Sequence, residues 1–477
     1  MSALNEPDLK WIENESFRDH LSTVTEDGKR RWIFPFKPKG KWFNKRKIVA
    51  LIFYAIFFIT PFVYVHGRPL LLFNFPDGKF ILFGFAFWPQ DFIIFGLMML
   101  AFILFIVIFT NAFGRIFCGW ICPQTIFMEM LFRRVDYIVL GNAQKQKLLS
   151  KAPWNTGKIS KYTLRYSIYF LLSFIIANTF LSYIIGVEEL KKIVTEPISM
   201  HTGGLISILV FTLIFFCVYV FLREQVCTNI CPYGRLQGVL LDKNSIVVAY
   251  DYQRGEPREK YKKGDQGEAG DCIDCNQCVN VCPTGIDIRN GTQLECINCT
   301  ACIDACNYIM EKIGRPKGLI RYDSENNIAE RIPFTFTTKL KAYSTVLTVL
   351  IIAITALLLT RKNVDGTLMR TSGMMFQEQG ADSISNLYNI KLTNKTLKND
   401  TLHVRLENLP GSVRLVGNPL IELKPEQQVA ATFFVVLPKS EIKERKQKIE
   451  IGLYNKSGVV NKLSSTFMGP ISRTHKE

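Results

Sequence analysis

The chain has 477 residues, of which 48% are hydrophobic and only 21% are charged. This composition excludes an intrinsically disordered protein, because disorder goes with low hydrophobicity and high net charge. Lysine and arginine number 58 against 41 aspartates and glutamates, which gives a formal net charge of +17. With long uncharged runs present and no groove-reading motif, this excess favours a membrane protein and argues against nucleic-acid binding.

Five apolar segments predict a bundle of five transmembrane helices. Each has about twenty residues, enough for a helix to span a hydrocarbon core of roughly 30 Å. The segments lie near residues 48–66, 91–113, 165–186, 204–222 and 342–360. Lysine and arginine are frequent in 37–47, 114–164 and 223–341 but scarce in 67–90 and 187–203. Since positive charge stays inside, we expect the N-terminus and the 223–341 region to be cytoplasmic and residues 361–477 to lie outside.

The C-terminal tail has the pattern of a small β-sandwich. Short β-branched and apolar runs recur between residues 388 and 454 and are separated by turn signals such as Pro410-Gly411. The tail contains no cysteine, and nothing in it indicates catalysis. A docking or spacer module is the expected role.

Eight cysteines form two copies of a motif typical of two-cluster ferredoxins. Each copy reads C-x2-C-x2-C-x3-C, and its tight turns deliver three thiolates to a cubane cluster while the fourth ligand comes from the other copy. Zinc sites prefer two C-x2-C pairs over such triplets. The first [4Fe-4S] cluster is therefore assigned to Cys272, Cys275, Cys278 and Cys306, and the second to Cys296, Cys299, Cys302 and Cys282.

Two further cysteine pairs share the spacing C-x3-C-P. They are Cys118 and Cys122, before Pro123, and Cys227 and Cys231, before Pro232. The i, i+4 spacing predicts that both sulfurs of a pair lie on one helix face, and that the proline stops or kinks the helix. Both pairs follow apolar segments at the same expected depth, so neighbouring helices would bring together one four-thiolate site or two separate pairs. Soft thiolates select Cu(I), zinc or iron–sulfur clusters; the alternative is small residues packing at a helix interface.

These motifs together resemble the cytochrome c oxidase accessory protein family called CcoG, FixG or RdxA. The resemblance rests on the segments 117–125, 87–91 and 227–235 and on the double ferredoxin run, in that order, and covers nearly the whole chain. It implies a bacterial inner-membrane protein with a C-terminal immunoglobulin-like domain that helps to assemble the cbb-type oxidase. It also implies reduction of Cu(II) to Cu(I), with Cys118, Cys122, Cys227 and Cys231 as the copper-handling thiolates.

The sequence thus predicts a multi-domain membrane protein in five parts. These are a cytoplasmic N-terminal segment (1–47), four transmembrane helices with both C-x3-C-P motifs (48–240), a cytoplasmic α+β ferredoxin domain with two clusters (241–335), a fifth helix (336–362) and a periplasmic immunoglobulin-like domain (363–477). The expected activity is that of a cupric reductase, with copper as substrate or transient ligand. Expected partners are membrane lipid, a cytoplasmic electron donor, a copper transporter or chaperone and the oxidase subunits.

Two other functions fit the same motifs. One is a quinol dehydrogenase subunit that feeds electrons to a periplasmic reductase, since membrane ferredoxins of that kind share the C-x3-C-P pairs. The appended β domain and the fifth span favour the assembly factor over this reading. The other is a non-catalytic assembly scaffold whose clusters sense oxygen or iron.

Overall fold

The computed structural model describes residues 22–24, 27, 29–65, 67–75, 78–87, 91–260, 270–332, 337–361, 363–371, 373, 375–380, 382–396, 398–425, 427–456 and 458–470. Of the motif 87–91, residues 88–90 lie outside this range. The described residues form two compact units. Unit 1 contains those up to Phe85 together with Phe95–Ile352, and unit 2 contains those of 86–94 and of 353–477.

The first part of the chain is mainly helical. Its helices are α1 (Lys41–Ile59), α2 (Phe92–Phe113), α3 (Ile116–Trp120), α4 (Pro123–Ile126), α5 (Arg133–Val139), α6 (Ala143–Lys151), α7 (Thr156–Ile185), α8 (Val187–Thr195), α9 (Thr202–Cys217) and α10 (Pro232–Leu240). Of three π-helical turns, Phe127–Phe132 follows the first C-x3-C-P motif, Val218–Leu222 precedes the second, and Val226–Ile230 contains Cys227 of the second. Such turns are rare and occur often at functional sites.

Among the described residues, four helices are long and apolar enough to cross a membrane. They are Phe92–Phe113, Thr156–Ile185, Thr202–Leu222 and Thr338–Leu359. The first apolar segment, predicted at 48–66, has other bounds in the structure. Helix α1 begins at Lys41 and ends at Ile59, and a 3₁₀ turn that contains Pro61 follows it. Its start is fixed by Asp304, whose carboxylate accepts hydrogen bonds from the backbone N–H groups of Trp42 (3.2 Å) and Phe43 (2.8 Å).

α1 extends along the bundle although its first half is basic. At its end, the carbonyl oxygen of Phe57 accepts a hydrogen bond from the Tyr183 hydroxyl near the end of α7, 2.9 Å away. Five short strands that the sequence did not predict follow α1, and the third of them contacts α7. They are β1 (Tyr64–Val65), β2 (Arg68–Pro69), β3 (Leu71–Asn74), β4 (Lys79–Leu82) and β5 (Phe85–Phe87); β1 pairs with β2, and β3, β4 and β5 form a sheet in that order.

A buried ionic network connects α5, α7 and the turn after α9. Asp136 is 1% exposed and accepts hydrogen bonds from Arg165 Nε (2.6 Å), the Tyr169 hydroxyl (2.8 Å) and a terminal nitrogen of Arg223 (3.0 Å). A buried carboxylate is tolerated only when it is paired and hydrogen-bonded in this way. The network therefore fixes the segment that follows Cys122 against two membrane helices.

The cysteine-rich region, residues 241–332, is a small α+β domain within unit 1. Strands β6 (Val247–Tyr250) and β7 (Ile320–Asp323) pair antiparallel, with Val247 opposite Asp323. The helices are α11 (Tyr252–Gly255), α12 (Gln277–Asn280), α13 (Ala301–Lys312) and α14 (Glu325–Glu330), with a 3₁₀ turn at Ile288–Asn290.

After α15 (Thr338–Leu359), unit 2 forms two antiparallel sheets around one apolar core, and this confirms the predicted β-sandwich. The strands are β8 (Val364–Arg370), β9 (Gln377–Gln379), β10 (Ser383–Asn394), β11 (Asp400–Leu406), β12 (Ser412–Leu415), β13 (Ile421–Leu423), β14 (Gln428–Pro438), β15 (Lys446–Asn455) and β16 (Gly458–Met468). One sheet has the order β12-β14-β10-β8, with β9 also paired to β10, and the other has the order β13-β11-β15-β16. Tyr388, Phe433, Ile451 and Phe467 are fully buried in the shared core.

Asp91, from the motif 87–91, belongs to unit 2. Its carboxylate is buried and forms ion pairs with Arg361 (2.5 Å) and with Lys395 (2.6 Å). Lys395 also pairs with Asp365 of β8 at 3.2 Å. The motif thus contributes a structural ion pair to the β-sandwich.

Candidate metal centres

The two C-x2-C-x2-C loops adopt the same unusual backbone conformation. Asp274 and Asn276 in the first loop, and Asn298 and Thr300 at the matching positions of the second, all have positive φ between 50° and 65°. This left-handed region is uncommon outside glycine, and it is strained for a β-branched residue such as Thr300. Two left-handed residues per loop wrap the backbone around a centre, which is the shape that three converging thiolates need.

The cysteines of the two loops line two separate cavities. Cys272, Cys275, Cys278 and Cys306 surround the first one. Cys282, Cys296, Cys299 and Cys302 surround the second one, which Cys278 also borders. Each cavity thus has three cysteines from one loop and a fourth from the other copy of the motif, as the sequence predicts. Helix α12 begins within the first loop, and α13 begins within the second. The assignment of the eight thiolates as cluster ligands stays a prediction, and their placement fits two [4Fe-4S] clusters.

Arg289 fixes the first loop. Its guanidinium donates to Asp274 Oδ1 (2.5 Å), Asn276 Oδ1 (2.6 Å) and both carboxylate oxygens of Asp287 (2.6 and 2.8 Å). Both left-handed residues of the loop are therefore tied to one cation. The loop also needs this charge electrostatically, because Arg289 partly opposes the effect of burial on the Cys278 thiol.

Burial keeps five of the eight cluster cysteines protonated when no metal is bound. It raises the pKa of Cys278, Cys296 and Cys306 to about 12 and that of Cys299 to about 11, and it raises the pKa of Cys302 as well. Desolvation disfavours the thiolate form, and a bound cation or cluster reverses this by coordinating the sulfur. Buried sulfurs with raised pKa values are therefore suited to hold a cluster and unsuited to react as free thiols.

The two C-x3-C-P motifs differ from the predicted helix. Cys118 lies in α3, but Cys122 precedes α4 as its N-cap, and Cys231 is likewise the N-cap of α10. The prediction that both sulfurs of a pair share one continuous helix face is therefore wrong. The reason is the proline, which disfavours helical geometry in the residue before it and then serves as the first residue of the next helix. Cys122 and Cys231 accordingly have ψ angles of 125° and 111°.

The structure brings the two pairs into one region. The Cys227 thiol interacts electrostatically with those of Cys118, Cys122 and Cys231, and it lies 3.7 Å from the hydroxyl of Thr125 in α4. In the described part of the chain, however, no three His, Cys, Asp or Glu side chains are arranged as ligands of a single ion. The same is true of the eight cluster cysteines, so this result does not distinguish the four C-x3-C-P thiols from them.

A chain of side-chain hydrogen bonds begins at Cys118. Its thiol donates to Gln237 Oε1 (2.9 Å), and the Gln237 amide nitrogen donates to the hydroxyls of Thr110 (3.1 Å) and Tyr233 (2.9 Å). Gln237 is fully buried. No sequence pattern pointed to this residue, because its role depends on the packing of α2, α3 and α10 and not on a motif.

The first C-x3-C-P motif contacts the second cluster loop directly. Gly119 packs against the backbone of Ile297 and Asn298 so closely that a Cβ atom there would clash. Cys118 belongs to one apolar cluster with Ile297 and Cys299, against which Cys227 and Cys302 pack. One cysteine of each C-x3-C-P motif and two ligands of the second cluster are therefore parts of a single packed core.

Hydrogen bonds from aromatic and basic side chains stabilise the contact between the first C-x3-C-P motif and the second cluster loop. The carbonyl oxygen of Gly119 accepts a hydrogen bond from Arg46 Nε (2.7 Å) in α1. Trp120 Nε1 donates to the Tyr322 hydroxyl (3.0 Å), which donates to the carbonyl oxygen of Asn298 (2.9 Å). Neither Arg46 nor Tyr322 was predicted from the sequence.

Burial also acts on one thiol of each C-x3-C-P motif. It raises the pKa of Cys118 to about 11, although Arg115 acts in the opposite direction, and it raises the pKa of Cys227 to about 12. Beside Cys227 lies a cavity of about 610 Å³ with a mixed lining, which includes Arg115, Val239, Leu294 and Glu295. Its size is within the range of small-molecule sites.

Comparison with known proteins decides the family. A family model for a 4Fe-4S dicluster domain matches residues 222–325, one for a 4Fe-4S binding domain matches 95–143, and one for the IG-like fold at the C-terminus of FixG, putative oxidoreductase, matches 354–470. The nitrogen fixation protein FixG of Rhizobium meliloti is 30% identical over 476 residues, covering 88% of this chain and 89% of that protein. The chain belongs to the FixG/RdxA family.

Other relatives in the family agree with this. Proteins RdxB and RdxA of Cereibacter sphaeroides are each 33% identical, with 77% and 76% of this chain and 80% and 79% of theirs covered. The crystal structure of a FixG-related protein from Vibrio parahaemolyticus matches 23% of this chain and all of that one, at 18% identity and a TM-score of 0.21. With its iron–sulfur domains and four apolar helices, this FixG/RdxA homologue is a membrane iron–sulfur protein of electron transfer.

Proposed function

We propose that this FixG/RdxA homologue reduces Cu(II) to Cu(I) at its C-x3-C-P cysteines during assembly of a cbb-type oxidase. The observation that carries the proposal is the shared core in which Cys118 and Cys227 pack with Cys299 and Cys302. A copper ion bound at the first two sulfurs would lie next to ligands of the second cluster. When bound, the [4Fe-4S] clusters supply single electrons, which is the stoichiometry that cupric ion requires.

The thiols themselves favour the reduced product. Cys118, Cys122, Cys227 and Cys231 offer only soft sulfur donors, which prefer Cu(I) to Cu(II). Since Cys118 and Cys227 are buried and protonated in the metal-free protein, copper binding must displace their protons. Gln237 accepts the Cys118 proton in a hydrogen bond and so orients this sulfur before metal arrives.

We propose five crossings, with α1 as the first. Residues before α1 contact the cysteine-rich region, for example Phe36 N–H with the carbonyl oxygen of Asn280 (2.8 Å), whereas the end of α1 meets the far end of α7. Five crossings in the inner membrane would put the cysteine-rich region in the cytoplasm and the β-sandwich in the periplasm. A cytoplasmic electron donor, a copper transporter or chaperone and the oxidase subunits are the proposed partners.

The decisive experiment is anaerobic. Purified full-length protein with dithionite-reduced clusters is mixed with Cu(II), and cluster absorbance is followed together with colour formation by a Cu(I) chelator. We expect about one Cu(I) for each electron lost from the clusters. The variants Cys118→Ser and Cys227→Ser should slow Cu(I) formation at least tenfold, while Cys217→Ser, a cysteine of α9 away from both centres, should leave it unchanged.

Two results would contradict the proposal. The first is Cu(I) formation at the same rate in the Cys118 and Cys227 variants, because copper would then be reduced elsewhere. The second is an iron content of about twelve atoms per chain instead of about eight, with the excess lost in these variants. That outcome would place a third cluster on the four thiolates of the C-x3-C-P motifs. It would agree with the 4Fe-4S family model that matches residues 95–143, a stretch whose only cysteines are Cys118 and Cys122.

A second candidate function is supported by the cavity of about 610 Å³ beside Cys227. Its mixed lining suits an amphipathic two-electron donor such as a quinol, and it also reaches Glu295, the neighbour of Cys296. Reduction of the clusters by a quinol analogue, blocked by Gly238→Leu in the cavity wall, would favour a quinol dehydrogenase.

A further inference from the structure

A separate cavity of about 250 Å³ lies in unit 1 between α1 and the segment around α5. Its lining is strongly cationic, with five basic side chains against one acidic side chain, Glu129. The basic residues are Lys37, Arg46, Lys47, Arg133 and Arg134. Concave sites lined by charge of one sign concentrate the field and attract counter-ions. The proposed reduction of copper makes no use of this cavity.

Two of its guanidinium groups are buried with unused donors. Arg46 and Arg133 are each only 2% exposed. The Nε of Arg46 donates a hydrogen bond to Gly119, but one of its terminal nitrogens has no partner. Arg133 forms ion pairs with Glu129 (3.1 Å) and Glu224 (3.5 Å), but its Nε and one terminal nitrogen have no partner. A buried unpaired donor costs about 1–3 kcal/mol, and more when it is charged. These nitrogens are themselves shielded from solvent, so Arg46 and Arg133 act on a ligand in the cavity through their positive charge.

Two of the other three cations of the cavity are available to an anion. In the part of the chain that the structure describes, Lys47 lies over the ring of Phe43 (5.2 Å) and Arg134 contacts the sulfur of Met130 (3.9 Å), with no carboxylate at ion-pair distance from either. Arg134 is exposed and Lys47 is half-buried. They can therefore close on a phosphate without breaking an existing ion pair.

The surroundings of the cavity are apolar and exposed. Ile138, in its wall, is 82% exposed, and on α1 the side chains of Ile48 and Leu51 are 59% and 65% exposed just beyond the basic residues. Apolar side chains next to a basic cluster mark the boundary between headgroups and acyl chains. A volume of about 250 Å³ suits a phosphate ester and is too small for a dinucleotide or a porphyrin.

We propose that this cavity binds the phosphate of an anionic phospholipid such as phosphatidylglycerol, whose acyl chains lie along the exposed face of α1. Arg46 and Arg133 supply fixed positive charge from inside, and Lys47 and Arg134 supply mobile charge and hydrogen-bond donors at the rim. Guanidinium groups are well matched to phosphate oxygens, which they can bind in a bidentate way. Basic pockets between membrane helices are a known setting for anionic headgroups.

The test uses delipidated full-length protein in a neutral detergent and counts bound lipid by native mass spectrometry. Phosphatidylglycerol should bind at least tenfold more tightly than phosphatidylcholine of the same chain length. The double variant Lys47→Gln/Arg134→Gln should lose at least tenfold of this affinity. The matched double variant Lys145→Gln/Lys147→Gln, on the exposed face of α6, should keep it, and thermal unfolding of all proteins shows that the rim variants remain folded.

The competing outcomes are distinct. Equal affinity for the two lipids, or unchanged affinity in the Lys47/Arg134 variant, would overturn the proposal. A second arm titrates inorganic phosphate against bound phosphatidylglycerol. Displacement of the lipid by phosphate at similar concentration would identify a soluble phosphate ester as the ligand and would likewise overturn the lipid assignment. Persistence of the lipid under this titration supports it.

Discussion

Gly119, between the cysteines of the first C-x3-C-P motif, is in van der Waals contact with the carbonyl of Ile297 in the second cluster loop. The contact leaves no room for a side chain. We expect Gly119→Ala to separate the two backbones, to cost about 1–3 kcal/mol through overpacking and to slow Cu(I) formation severalfold. Thermal unfolding and the anaerobic chelator assay measure both effects.

The control for this substitution is Gly96→Ala in α2, where a Cβ atom meets nothing within 4 Å. Gly96→Ala replaces a helical glycine, so it should leave the free energy of unfolding unchanged or raise it slightly. An unchanged rate in Gly119→Ala, with the expected loss of stability, would show that the contact is structural only.

Copper binding should depend on pH in a defined direction. Because the pKa of Cys118 is about 11 and that of Cys227 about 12, both thiols are protonated between pH 6 and about 9 and each releases a proton on binding. The affinity for Cu(I) should therefore rise with pH, about tenfold per unit for each proton displaced. Competition with a chelator of known affinity at several pH values measures this slope, and a slope of zero would show that the sulfurs are already thiolates.

The same shifts act on the stability of the metal-free protein. Both native pKa values lie above the ordinary value of 9.0, so the native state holds these protons after the unfolded state has released them. The free energy of unfolding should be unaffected by these two thiols below pH 8 and should fall as the pH rises from 9 towards 12. Denaturant titrations of the wild type and of a Cys118→Ser/Cys227→Ser variant isolate this contribution.

Arg289 should protect the first cluster. Arg289→Gln removes the hydrogen bonds to Asp274, Asn276 and Asp287 and should cost about 1–3 kcal/mol of stability. We expect the first cluster to be lost in air several times faster than in the wild type, as followed by its absorbance. The control Lys317→Gln removes only an exposed ion pair with Glu311, and a cluster lifetime equal in all three proteins would contradict the role given to Arg289.

Asp91 should be required for the stability of unit 2. Asp91→Asn leaves Arg361 and Lys395 without their shared partner, and removal of one member of a buried pair typically costs about 3–5 kcal/mol. Denaturant unfolding of unit 2 should shift accordingly, while the exposed Asp382→Asn should leave it unchanged. Lys395→Met in the Asp91→Asn background should recover part of the loss; no recovery would mean that the ion pairs are not the cause.

Local patterns in the sequence were enough to predict some of these features. The spacing of Cys272 to Cys306 predicts two groups of four because three ligands of each come from one turn. It does not predict Asp274 or Thr300 in left-handed conformation, which follows from the wrapped loop and not from their own preferences. The error at Cys122 came from giving periodicity more weight than the proline that follows.

Other features depend on distant parts of the chain. α1 begins at Lys41 because Asp304, more than 260 residues later, caps it, and no pattern near Lys41 shows this. Gln237 and Arg46 likewise gain their roles from the packing of helices that are far apart in the sequence. The apolar runs predicted five spans, and four of them coincide with helices that are long and apolar enough to cross a membrane. The first run is only part of α1, which also includes the basic residues from Lys41 onward, and composition alone does not show this.

The segment before α1 also sets an order of biogenesis. The Ser22 hydroxyl donates to the carbonyl oxygen of Thr284 (2.7 Å), and Phe36 and Trp42 contact Asn280 and Asp304. During synthesis this segment leaves the ribosome more than 200 residues before the cysteines that it will cover. These contacts can therefore form only after the cysteine-rich region has been synthesised, so the cysteines are covered late in the folding of the chain.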